Sequence, residues 1–169
     1  MLPSSIRILA IIVTLAAGVF LLFYQEWIWG GLAIGLTAYL AYVQFRLGPV
    51  VLGLRYLYRG NVAKCEREIN KVKRPDKIPG KLQGYYYFCQ GYIHHHHKRQ
   101  AEAAAAFASA LEKGLRMEND QAVAHVSIAH YEASQGKKAQ ANKHLKAAKE
   151  LKHNEAVDSA IQQVEQQLR

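Results

Sequence analysis

Residues 84–114 read GYYYFCQGYIHHHHKRQAEAAAAFASALEKG, and the reading of this stretch decides the fold. Its residue types fall where a hairpin of two antiparallel helices needs them. Tyr87 and Gly91 belong to the first helix, and Ala103, Phe107 and Ala110 recur at helical spacing along the second. Gly91 and Ala103 are small where the two helices cross, which lets the backbones approach, and Phe107 fills the space toward a neighbour. One such hairpin cannot bury its own apolar face, so the chain should hold others.

It does, in one register. Downstream, Tyr131 to Gly136 is followed by Ala141, Leu145 and Ala148; upstream, Gly53, Tyr56, Gly60, Cys65, Ile69 and Val72 make a further copy. Gly53, Gly91 and Ala129 stand 38 positions apart, as do Cys65, Ala103 and Ala141, and Ile69, Phe107 and Leu145.

The pattern resembles the tetratricopeptide repeat (TPR) over residues 50–168. In that motif an aromatic, a Leu-Gly-like pair and an aromatic mark the first helix, and small, bulky and small residues mark the second. Three departures accompany the likeness. The usual period is about 34 residues, so the turns between copies are expected to be longer, and the motif's closing proline is missing. Its eleventh position holds Tyr56 once but His94 and Glu132 in the other copies. An irregular helical bundle is the alternative.

The resemblance implies a function. First-helix residues of the family line a concave groove that holds a partner's extended peptide or helix, and by register Tyr85, Phe88, Tyr92 and His95 fall there, with His130 from the next copy. An aromatic stripe at this spacing is equally well explained as core. The family's clamp for a peptide carboxylate is not implied, because Cys89, Ser127 and His130 occupy its positions.

The N-terminus reads differently. From Ile8 to Phe23 and again from Trp27 to Phe45 there is no charge, and each run approaches the length that crosses a bilayer. Two transmembrane helices over residues 1–47 are expected, joined at positions 25–26, with Tyr24, Trp27 and Trp29 as an interfacial belt. Gly18 on the first, and the Gly31 and Gly35 pair on the second, allow close packing between helices or against another membrane protein. Bases follow the second run closely, so both termini are expected in the cytoplasm; the resemblance to small anchored TPR proteins, which are mostly bacterial, implies the inner membrane of a bacterium. Between Arg55 and Lys81 there are nine bases and three acids, a segment that could meet anionic lipid.

The formal charge of +9 is accounted for by that bias, so nucleic acid is not an expected partner. Cys65 and Cys89 are too far apart in sequence for a structural zinc site, and no disulfide framework is implied. His94 to His97 end a helix next to Lys98 and Arg99, where positive charge suits the helix dipole. On a helix His94 and His97 project near one another, so a metal site completed by His125 or His130 is a second possibility. Phosphate loops, nucleophile elbows and paired catalytic carboxylates are missing from the sequence.

The fold expected is therefore all-α: a membrane hairpin (residues 1–47), a short TPR-like solenoid of about three hairpins (48–153) and a capping helix (154–169). Val157, Ile161, Val164 and Leu168 give that last helix one apolar stripe, as a lid requires. The expected function is a non-catalytic, membrane-anchored adaptor without cofactor that binds a protein partner. The alternatives are an accessory subunit of a larger membrane complex, self-association included, and a His-rich metal-binding protein.

Overall fold

The computed structural model describes residues 4–23 and 27–168; within them residues 4–8, 10–11, 21–23, 27, 40–47 and 81 are described by backbone alone. Every regular element among the described residues is helical: α1 (Ser4–Phe23), α2 (Trp27–Leu57), α3 (Val62–Ile69), a 3-10 turn (Pro75–Lys77), α4 (Gly80–His96), α5 (Gln100–Lys113), α6 (Glu118–Ser134), α7 (Lys138–Lys149) and α8 (Glu155–Leu168). The all-α class holds. Contacts divide the chain into two units, residues 1–48 and 49–169.

In the first unit, Gly18 sits against α2, where an added Cβ would come within 3.2 Å of Ala33 and Ile34. The Thr37 hydroxyl donates to the Ala33 carbonyl and lies 3.0 Å from the Thr14 hydroxyl. Gly31 and Gly35, by contrast, have open space where a Cβ would stand. Of the three glycines expected to pack helices, only Gly18 does so here.

The membrane reading is corrected. Among the described residues no helix is long and apolar enough to cross a membrane. A span needs about twenty consecutive apolar residues, and the longest runs of described side chains in α1 and α2 are 12–20 and 28–39, which fall short of that. The two expected transmembrane helices, and the inner-membrane placement and orientation that depend on them, do not hold. The turn at positions 25–26 and Tyr24 lie outside the described residues. Helix α2 carries Pro49 inside it, at the point where the division between the units falls.

The second unit is a series of hairpins, and their helix ends show why thirty-eight positions recur. After α2, α4 and α6 the chain turns through Gly60, Lys98 and Gly136, all with positive φ. In each turn an amide reaches back to a carbonyl five residues earlier, in the last turn of the helix: Asn61 N–H to Tyr56 O, Arg99 N–H to His94 O and Lys137 N–H to Glu132 O, each at 2.9 Å. A left-handed residue closing such a bond stops a helix and sends the chain back antiparallel. The eleventh motif position, which looked irregular in the sequence, is thus the carbonyl that accepts this bond, and its side chain is free to vary. The turns inside the hairpins are short, 97–99 and 135–137, whereas the connections between copies are 70–79 and 114–117, so only the first of these is long; helices α4 and α6 are each 17 residues long.

Packing follows the small positions. Gly84 lies against the carbonyl of Gly114, and a Cβ on Gly91 would meet the Phe107 ring at 2.7 Å. Phe107 is in turn edge-on to Phe88 and Tyr92. Around α6 and α7 the core is made of smaller residues, Ala122, Val126, Ala129, Ala141, Leu145 and Ala148. Helix α8 closes it with Val157, Ile161 and Val164 and keeps Asp158, Gln162 and Gln163 exposed. The connection into α8 is tied back to the start of α6, where Glu118 accepts from Lys152 N–H and Asn119 from Asn154 N–H.

Candidate functional site

Helix α6 packs against α5 on one side and α8 on another, and a notch of about 260 Å³ opens above it. Its walls come from His95 of α4, Gln100, Ala103 and Phe107 of α5, and Ala160, Gln163 and Val164 of α8; Val126, Ser127 and His130 of α6 complete it. Ala103, Phe107, Val126 and Val164 are buried and form an apolar floor. His95, His130 and Gln163 are exposed at the mouth. Neither an acid nor a Lys or Arg lines it. The Ser127 hydroxyl donates to the Val123 carbonyl of its own helix, so no activated hydroxyl faces the notch. The arrangement can hold an uncharged body and meet polar groups at its edge.

Two of the five residues expected in a groove, His95 and His130, are brought together here. The other three sit beside it in the interior. Phe88 is 1% exposed and packs edge-on to Tyr85 and Tyr92. The buried Tyr85 accepts from the Arg116 N–H through its hydroxyl oxygen, and burial pushes the Tyr92 phenol up to about 12. These rings hold α4 in place, the core explanation of the aromatic stripe.

The histidine run disperses. His97 Nε2 lies 3.1 Å from Glu66 of α3, and the Nδ1 of His94 is buried without a hydrogen-bond partner. Among the described residues no group of three or more His, Cys, Asp or Glu side chains is placed to hold a metal.

Three polar pairings have no sequence signal, because their members come from separate helices. The Tyr58 hydroxyl donates to Asp120 Oδ2 at 2.6 Å, joining the end of α2 to α6 across 62 positions. Burial raises Asp120 while the hydrogen bond from Tyr58 works against that rise, and burial holds the Tyr58 phenol protonated. Cys65 and Cys89 are both fully buried, and the neighbouring Cys65 thiol together with burial keeps the Cys89 thiol well above its usual value. His125 and His144 bring their Nδ1 atoms to 2.9 Å. The thirty-eight-position register could have placed His125 and His144 on the α6 and α7 of one hairpin, but not their facing.

Compared with known protein families, with characterised proteins and with solved structures, the chain matches none.

Proposed function

We propose that the second unit is a non-catalytic adaptor of TPR-like hairpins that holds an extended segment of a partner protein in the notch over α6. The supporting observation is the notch itself, with its apolar floor and uncharged polar rim. At about 260 Å³ it is smaller than the roughly 300–1,000 Å³ of sites for drug-sized ligands and cofactors. It suits a bulky apolar side chain of a peptide. That side chain would rest on Ala103, Phe107, Val126 and Val164, while His95, Gln100, His130 and Gln163 meet the peptide's amides. The recurring turns at Gly60, Lys98 and Gly136 support the repeat reading on which the adaptor role draws.

The test is fluorescence polarisation with a panel of labelled peptides of one length, carrying Leu, Phe, Met or Ala at the centre of a polar sequence. Peptides with a large apolar centre are expected to bind, and Ala at the centre to weaken binding by about tenfold, the worth of roughly 1.4 kcal/mol. Gln163→Trp covers the mouth from an exposed position and is expected to weaken it at least as much, with the melting temperature unchanged. A panel in which nothing binds, or binding indifferent to Gln163→Trp, ends this reading.

A further inference from the structure

Hairpin α6/α7 is fastened by two histidines. His125 and His144 bring their Nδ1 atoms to 2.9 Å with ring centroids 5.2 Å apart. The second distance exceeds the first by about two ring radii, so the nitrogens meet head-on along the line of an N–H···N hydrogen bond. Two metal ligands would instead converge on a third point. One ring donates, the other accepts, and a single proton lies between them. On the far side of His144, its Nε2 is 4.0 Å from Glu132 Oε2, and that oxygen is buried with no hydrogen-bond partner among the described residues.

The charges around the pair are otherwise engaged or distant. Helices α5, α7 and α8 pack on α6. On α5, Glu112 lies beside Lys113 and Glu102 is exposed; on α8, Asp158 pairs with His153, Glu165 with Lys149, and Glu155 is exposed. On α6 itself, Asp120 is held by Tyr58 and Glu118 by the Lys152 amide. The lysines of α7, at positions 138, 143, 146 and 149, are exposed. Burial first, and His144 second, hold His125 below the ordinary histidine value.

Proton uptake then has two different effects. A first proton leaves the bond intact, since one ring as an imidazolium still donates to the other, neutral ring. A second sets N–H against N–H and cation against cation, which the rings resolve only by parting. Besides the histidine bond, helix α7 is held by three buried side chains, Ala141, Leu145 and Ala148, and by exposed Lys138 and Lys149, which reach Leu168 and Glu165 of α8.

We propose that His125 and His144 form an acid-released latch between α6 and α7, and that the latch controls the notch because α6 supplies Val126, Ser127 and His130 to it. The second half rests on the peptide-binding reading; the latch itself does not. The sign follows from His125 being kept neutral in the fold. The unfolded chain binds that proton more readily, so the contribution is full above the unfolded value of about 6.5 and is lost as the pH falls below it.

Hydrogen exchange of the whole chain, corrected for the intrinsic effect of pH, reads the latch directly. From about pH 7.5 to about pH 5, exchange in residues 138–149 is expected to quicken at least tenfold, with α4 and α5 little changed. His125→Gln keeps a side chain that donates and accepts without titrating, and it is expected to remove the acid response. An equal response in that variant, or one shared equally by α4 and α5, overturns the latch. Should the variant not fold, the ring resonances of the unaltered protein decide. Two separate titrations, with His125 below the ordinary range, support the latch, and both rings titrating together at the ordinary value overturn it. Peptide affinity that ignores acid while α7 loosens overturns control of the notch alone.

Discussion

Hairpins α4/α5 and α6/α7 share a turn and an interval but are held together by different means. Gly84 and Gly91 of the first correspond, thirty-eight positions on, to Ala122 and Ala129 of the second, and Phe107 corresponds to Leu145. The hairpin with the large ring has no side chains where the ring and the facing backbone must fit. The hairpin with leucine has room for two methyl groups, both fully buried. Each is close-packed, because a change in one volume is met by the opposite change across the contact. What differs is the cement: a cluster of aromatic edges in one, a histidine pair among alanines in the other. Aromatic burial is indifferent to pH, and a shared proton is not.

The sharpest way to break this comparison is to give the first hairpin the second one's alanines. At Gly91 a methyl group meets three atoms of a ring that is 1% exposed and boxed in by Phe88 and Tyr92. Gly91→Ala is expected to cost about 1–3 kcal/mol in chemical denaturation. Combining it with Phe107→Leu, which restores the pairing seen at Ala129 and Leu145, should cost less than the two changes summed. Strict additivity would show that the correspondence between the hairpins is one of sequence only.

The pairing of Tyr58 with Asp120 joins the end of α2 to α6, so it probes how successive hairpins are coupled. Asp120 is 2% exposed, and Tyr58→Phe removes the donor at 2.6 Å while keeping the ring. A loss of about 1–3 kcal/mol is expected, the cost of a buried acceptor left without its partner. A midpoint within a few tenths of a kcal/mol of the parent would show that Asp120 is solvated where the fold has it enclosed.

The smallest effect concerns the turns. Gly60 and Gly136 hold φ near 73°, and Lys98 holds φ 59° at the matching place. A side chain in the left-handed region is strained where glycine is not. Lys98→Gly is expected to raise stability by about 1 kcal/mol, read as a higher denaturation midpoint. No gain would mean that the lysine side chain contributes something the turn geometry does not reveal.

Much of the helical order was legible in the residues. Gly91 and Phe107, Cys65, Ala103 and Ala141, and the glycines at 60 and 136 are local in effect: each answers to the backbone beside it or to a partner one helix away. The stop at α3 was not legible, since the helix ends at Ile69, six residues before the next helix-breaking residue in the sequence, Pro75. Asn70 and the residues after it close tight turns onto Glu66, Glu68 and Ile69 before the proline is reached. Nor was the aromatic stripe: period alone cannot say whether Phe88 looks at solvent or at Phe107. The notch was half legible, through His95 and His130, while Gln163 and Val164 join it only because α8 folds back onto α6.

What the amino-acid sequence determined by itself is the all-helical class and the interval at which hairpins recur, since small residues, turn glycines and apolar spacing act through neighbours along the chain. Only the tertiary structure decided which face each side chain serves: that Gly31 and Gly35 look into open space, that the notch lies over α6, and that His125 meets His144. Those outcomes depend on the angle and distance between helices far apart in sequence, quantities that a one-dimensional period does not carry.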